Sequence, residues 1–324
     1  MYENFHLLNK KLTIFYPFFV QILVVISSLT LYNITKYGIG RWDEFMNLRQ
    51  INELWDEYKE KYELDSSVKI SAVKYDAEGY VEGFFNLLEL LEGKYVLHLN
   101  RRFHLYSESY ARFILFHEFT HFYDFMKSPF EKQEELFIYM NAYSEYHACR
   151  VTLARFMERL TIKTVHVDKI QIPGPFNEIS IRHLLEEGLW RVRVSFEQFL
   201  ETLEPNDFVM TFRQLMYLFG YISLFDNDDV LVEQTLKFAN LDGKDFTDLY
   251  QAMKEIEIDE VVRLTRKIYN SAFLIYLRGF FRKNYDKKVL PDDELENINA
   301  DNCDQYKKIL EERQKKIIEK EAAA

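Results

Sequence analysis

The chain has 324 residues, 48% of them hydrophobic, and its 52 acidic against 41 basic side chains give a net charge of −11. That length and apolar content allow one large domain or two modest ones with a real core. The acidic balance, with no basic run dense enough to follow a phosphate backbone, argues against nucleic-acid binding as the main activity. Two cysteines, Cys149 and Cys303, are too few for a disulfide framework and favour a reducing, cytoplasmic setting.

Leu12 to Thr35 carries no charge and is long enough to span a bilayer, although Pro17, Gln21, Ser27, Ser28 and Thr30 dilute it. It is too long for a secretory h-region, and no small-residue cleavage site follows. Residues 1–41 are therefore read as a membrane anchor or a segment outside the folded domains. The alternatives are a buried helix or hairpin of a soluble fold, or a functional protein that begins near Met46. If residues 12–35 span, Lys36, Arg41 and Arg49 outnumber Lys10 and Lys11 and put the rest of the chain inside. Trp42 to Tyr62 then reads as a helix, with Leu48, Ile51, Leu54, Trp55 and Tyr58 at helical spacing. Val68 to Lys74, Tyr80 to Leu90 and Tyr95 to Asn100 alternate and are separated by turn residues, which predicts a small antiparallel meander. An edge of that sheet would suit strand addition by an extended peptide. His98 and His104 read as ordinary strand and loop histidines.

The next segment, Tyr110 to Phe125, lacks Gly and Pro, follows the N-cap cluster Ser107-Glu108-Ser109, and contains His117-Glu118-Phe119-Thr120-His121. A helix advances about 100° per residue, so two His four apart lie roughly 40° apart on one face. Two imidazoles so placed can bind one zinc ion, with the intervening Glu beside the metal's open position. Ile114 and Phe125 are expected near the His face. The bland alternative is a pair of core histidines satisfied by ordinary hydrogen bonds.

A catalytic zinc site usually has three protein ligands and one position for water. A third ligand just downstream, in the metzincin manner, is excluded because Asp124 and Lys127 stand where Gly and His or Asp would be needed. A later helix holds Glu145, which shares a stripe with Ala148, Cys149 and Thr152, and Ala148 is small enough for close helix approach. Glu145 is the first candidate; His147, Glu134 and Glu135 remain open alternatives. Asp124, one turn beyond His121, is the nearest carboxylate that could orient a zinc-bound ring. Tyr143, His147, Tyr123 and His183 are all candidates to stabilise a developing oxyanion. Glu118 is the candidate general base.

From about Val68 to Met157 the chain resembles the ImmA/IrrE-like metallopeptidases, a zinc family of small gluzincin type. The resemblance rests on a strand ending in Val96-Leu97-His98-Leu99-Asn100, on the run from Arg112 to His121, and on the Glu-x-x-Ala pattern of Glu145 to Ala148. It implies His117, His121 and Glu145 as ligands of one zinc ion and Glu118 as the catalytic carboxylate. It also implies cleavage of a specific protein or peptide substrate, such as a regulatory protein. Two positions depart from the pattern: Thr120 precedes the second His where the family commonly has Gly, and Cys149 stands where larger gluzincins often place a bracing Asp. A competing reading is a zinc-containing binding or sensor protein that does not cut its partner; another is a helical protein whose pentad binds no metal. Cys149 as a fourth ligand would favour a closed, structural site.

From Ile162 onward the pattern is helical, with breaks expected at Ile172 to Pro175, Glu204 to Asp207, Asp226 to Asp229, Asp242-Gly243 and Leu290 to Asp293. The whole predicts a mostly α, α+β fold: a small antiparallel sheet packed on a metal-binding helix core, with a large helical C-terminal extension. The expected division is 42–162 for the metallopeptidase-like domain, 163–290 for a helical domain and 291–324 for a charged terminal helix that frays.

Overall fold

The computed structural model describes residues 46–64, 68–74, 89–91, 94–99, 103, 107–159, 171–173, 178–241, 243–299 and 301–322. The segment 12–35 and His104 lie outside them. Among the described residues no helix is long and apolar enough to cross a membrane.

The fold is mostly helical with little sheet. Helix α1 (Leu48–Lys61) opens with a reciprocal cap in which Asn47 and Gln50 exchange side chain-to-backbone bonds. Its Ile51, Leu54, Trp55 and Tyr58 are buried, as their spacing predicts, while Leu48 in the first turn is 38% exposed. Strands β1 (Ile70–Lys74), β2 (Glu89–Leu91) and β3 (Lys94–His98) follow. The sheet is mixed, and this corrects the antiparallel meander. β2 and β3 form the expected hairpin, but β1 pairs with the other side of β3 in parallel, giving the order β1-β3-β2. Alternation specifies a strand but not its partner. Because β2 runs antiparallel to β3, it carries the chain back to the end of the sheet at which both β1 and β3 begin. The edges are therefore β1 and β2.

Helix α2 (Glu108–Lys127) starts at Ser107, whose hydroxyl accepts from the Tyr110 amide, and carries the pentad. One face packs on α1 and the sheet through Leu115, Phe116, Phe119 and Phe122. Phe119 and Phe122 meet the Trp55 ring at centroid distances of 5.1 and 5.0 Å. Ile114 is buried, and Phe125, near the helix end, is 51% exposed.

Helix α3 (Gln133–Tyr139) runs into a π-helical turn (Met140–Ser144) and directly on into α4 (Glu145–Arg159). After a short hairpin of β4 (Gln171–Pro173) and β5 (Glu178–Ser180) come α5 (Ile181–Thr202), α6 (Pro205–Ile222), α7 (Asp228–Phe238), α8 (Lys244–Lys254), α9 (Ile258–Asn284), α10 (Asp292–Leu295) and α11 (Cys303–Ala322). Pro205 sits in the first turn of α6, where its missing N–H costs nothing. The largest core cluster draws on both sides of residue 162: Ile138, Tyr139, Ala142, Tyr143 and Tyr146 pack with Phe212, Phe219, Tyr250 and Ile268. The charged helix α11 is anchored at its start, where Cys303 and Leu310 join Leu277, Phe281 and Leu290, and its far end leaves Ile318 exposed.

Candidate metal centre

Three helices build the site. On α2, His117 and His121 point the same way, their Nε2 atoms 3.0 Å apart and their rings perpendicular. Opposite them, Glu145 opens α4 and aims Oε2 between the rings, 3.5 Å from His117 Nε2 and 3.2 Å from His121 Nε2. Three acceptor-type atoms thus converge on one point. Oε2 of Glu145 is fully buried and receives no well-formed hydrogen bond. An unpartnered buried carboxylate oxygen is costly unless a cation or proton meets it. His117, Glu118 and His121 likewise lie close enough together to hold a metal ion.

The π-turn sets this geometry. It widens the helix for one turn just before Glu145, and it leaves Ser144 as well as Glu145 facing α2. Ser144 Oγ lies 2.8 Å from His121 Nδ1. Were Nε2 to serve as a ligand, Nδ1 would carry the proton and donate it to Ser144, a contact that orients the ring. π-Turns inside helices often mark functional sites for this reason. On the other ring, His117 Nδ1 lies 3.9 Å from Cys149 Sγ. The thiol therefore stands at the edge of the ring away from Nε2, and Cys149 is not a fourth ligand to the same point.

Helix α6 closes the third side. The Arg213 guanidinium pairs with Glu145 Oε1, the oxygen that does not face the histidines. Its charge lies 5.7 Å from the Tyr217 ring, which in turn meets the His117 ring edge-on at 5.8 Å. Gly220 lets α6 press onto α4: a Cβ there would stand 2.7 Å from Cys149 Cβ and closer still to the Tyr146 carbonyl oxygen. None of Ser144, Arg213 and Tyr217 is marked by a local sequence motif. Their one shared hint is the spacing of Arg213, Tyr217 and Gly220 at i, i+4 and i+7, which puts them on one stripe.

Electrostatics follow from burial and these contacts. Burial holds the Glu118 carboxyl up at about 8; His121 and Arg213 pull it down, and Glu145 pushes it further up. Burial lowers His117 to about 4, against the pull of Glu145. For His121 burial also acts downward, but the carboxylates of Glu145 and Glu118 outweigh it and the ring is raised. Glu145 goes the opposite way: burial pushes it up, yet Arg213 and His121 hold it well below the usual carboxylate range.

The remaining sequence candidates are placed elsewhere. Asp124 does not brace His117 or His121: its Oδ1 lies 2.8 Å from His147 Nδ1, and Ser144 has the bracing position beside His121. His147, so engaged, is not brought to the point where Glu145 and the two Nε2 atoms converge. Glu134 and Glu135 face Arg266 at 3.8 and 3.7 Å. Tyr143 is buried in a stack with Tyr139 and packs on His147, which Tyr123 also approaches. His183 is exposed on the first turn of α5, 3.8 Å from Glu187. His98 ends β3, paired with Lys74. No family model matches the chain, and no curated protein or solved structure matches it.

Proposed function

We propose that this chain is a zinc-dependent endopeptidase of the ImmA/IrrE-like kind, with His117, His121 and Glu145 as ligands of one ion and Glu118 as the catalytic carboxylate. The observation that carries the reading is the triangle of His117 Nε2, His121 Nε2 and Glu145 Oε2, with edges of 3.0, 3.5 and 3.2 Å. Tetrahedral zinc with N and O ligands at about 2.0–2.1 Å needs ligand–ligand edges of about 3.3 Å. Two imidazoles and one carboxylate are also the donor set that suits zinc with a position left for water.

Zinc bound there would act as a Lewis acid and lower the pKa of a bound water to about 7. Burial alone keeps Glu118 protonated near neutral pH, and a divalent cation held by the neighbouring ligands would offset that and leave it ionised, able to take the proton of an attacking water and pass it to the departing amine. Ser144 holds the His121 ring, and Arg213 holds the far oxygen of Glu145. The substrate is a protein or peptide in this reading, with the target a regulatory protein.

A second reading is a non-catalytic zinc-containing binding or sensor protein. It draws support from enclosure, since the side chains of His117 and Glu145 are only 16% and 5% exposed. The position of Cys149 on the Nδ1 edge of His117 argues for the first, because it leaves the three-ligand set without a fourth protein donor from that side. Proteomics of cleavage products from cells with the intact protein or its Glu118→Gln form separates the two. Glu118→Gln is expected to keep zinc and lose every product, and His117→Ala to lose both zinc and products. Equal cleavage by Glu118→Gln would rule out the enzymatic reading.

A further inference from the structure

We infer that Arg213 is a positioning residue of the metal centre: by occupying Oε1 of Glu145 it reserves Oε2 as a single-oxygen ligand. This rests on the metal-binding part of the proposed function and deepens it. The guanidinium comes from α6, in the helical region far from the pentad in sequence, and pairs with Oε1 of Glu145, whereas both histidines approach Oε2. That second oxygen is left without a hydrogen bond and points at the two Nε2 atoms. A carboxylate with both oxygens free can rotate, ligate through two atoms or turn away; a charge-assisted contact from the guanidinium to Oε1 opposes all three.

The support is itself anchored. Arg213, Tyr217 and Gly220 share one stripe of α6. Gly220 locks that stripe against the backbone of Tyr146, the residue after Glu145, and against Cys149. Tyr217 fills the space between Arg213 and the His117 ring. The height of the guanidinium over Glu145 is therefore set by helix–helix contact rather than by a flexible loop. Partners of this kind orient a ligand and are worth about 10–100-fold in metal affinity.

The sign of the effect discriminates. Arg213 is a cation beside a cation site, so by charge alone its removal would strengthen metal binding. By geometry, removal weakens it. Zn2+ and Co2+ affinities of the full chain are measured by chelator competition for wild type, Arg213→Met and Arg213→Lys. The expected result is a dissociation constant raised about 10–100-fold in Arg213→Met, partial recovery in Arg213→Lys, and a changed visible spectrum of the Co2+ form. The metal-free Arg213→Met protein is checked by circular dichroism. Unchanged or tighter binding by folded Arg213→Met overturns the inference and leaves the peptidase reading intact. Zinc X-ray absorption of the wild type needs no substitution and serves if Arg213→Met does not fold. One carboxylate oxygen in the coordination shell supports the inference, and two oxygens from one carboxylate overturn it. A wild type that binds neither ion removes both the inference and the reading beneath it. A zinc-loaded wild type without peptidase activity removes only the latter.

Discussion

Gly220 and Gly279 form a matched pair on which the packing argument can be tested. Each is inside a helix, α6 and α9 respectively, and at each an added Cβ would fall well short of the 3.4 Å at which ordinary contact begins. They differ in what would have to yield. At Gly220 the obstacles are the Tyr146 carbonyl oxygen, Cys149 Cβ at 2.7 Å and the Arg150 amide nitrogen at 3.2 Å, all part of or next to the α4 backbone. At Gly279 they are side-chain atoms of Leu203, including Cδ2 at 2.8 Å and Cγ at 3.1 Å. Both substitutions to Ala gain about 0.5–1 kcal/mol of helix preference. Overpacking against backbone costs ~1–3 kcal/mol, occasionally more, whereas turning Leu203 off its rotamer costs ~0.5–1.5 kcal/mol. Gly220→Ala should therefore lose about 1–2 kcal/mol net, lowering the melting temperature by roughly 1.5–3 °C in a chain of this length. Gly279→Ala should stay within about 1 kcal/mol of wild type. Because α4 carries Glu145, Gly220→Ala should also weaken zinc binding, and Gly279→Ala should not. Thermal unfolding followed by circular dichroism, with and without chelator, reads both effects. Equal effects of the two substitutions, or a Gly220→Ala protein as stable as wild type, would refute the reasoning.

Away from the centre, Asp228 accepts hydrogen bonds from Tyr250 at 2.6 Å and Lys254 at 2.5 Å. Burial works to raise its pKa, but these bonds overcome it and hold the carboxyl below the usual aspartate range. A depressed folded pKa stabilises fully above the unfolded value of about 3.9 and ceases to as pH falls through the folded value. Asp228→Asn should thus be less stable than wild type at pH 7, with the gap narrowing in acid below about pH 4; denaturant titrations at pH 7, 5 and 3 would show a constant gap if the pairing is unimportant. Tyr58→Phe removes a buried 3.0 Å bond to Thr120, which keeps its own bond to the Phe116 carbonyl. The expected cost is about 1 kcal/mol in urea unfolding, and a loss of several kcal/mol would mean that Thr120 depends on Tyr58.

What could be read from the chain beforehand divides along a physical line. His117 and His121 are legible because helical geometry ties an i, i+4 pair to one face whatever else the chain does. Glu145 is legible because Ala148 and Cys149 mark its stripe as one that packs closely, and the structure buries both. Helix ends at Pro205, Asp228, Gly243 and Pro291 are legible because Pro, Gly and Asp act on the local backbone. Arg213 and Tyr217 are not, since their role exists only once α6 lies on α4, and nothing near them in the chain states that contact. Ser144 needs the π-turn to face His121, and a π-turn is set by tertiary fit rather than propensity. The same holds for β1, whose alternation defines a strand but not which edge of the β2–β3 hairpin it joins.

The most direct measurement is a crystal structure of the zinc-soaked protein, with data collected on both sides of the zinc absorption edge. The account predicts a single strong anomalous peak within bonding distance of His117 Nε2, His121 Nε2 and Glu145 Oε2, with solvent completing the shell. No peak there, or a fourth side chain filling that last position, would contradict it.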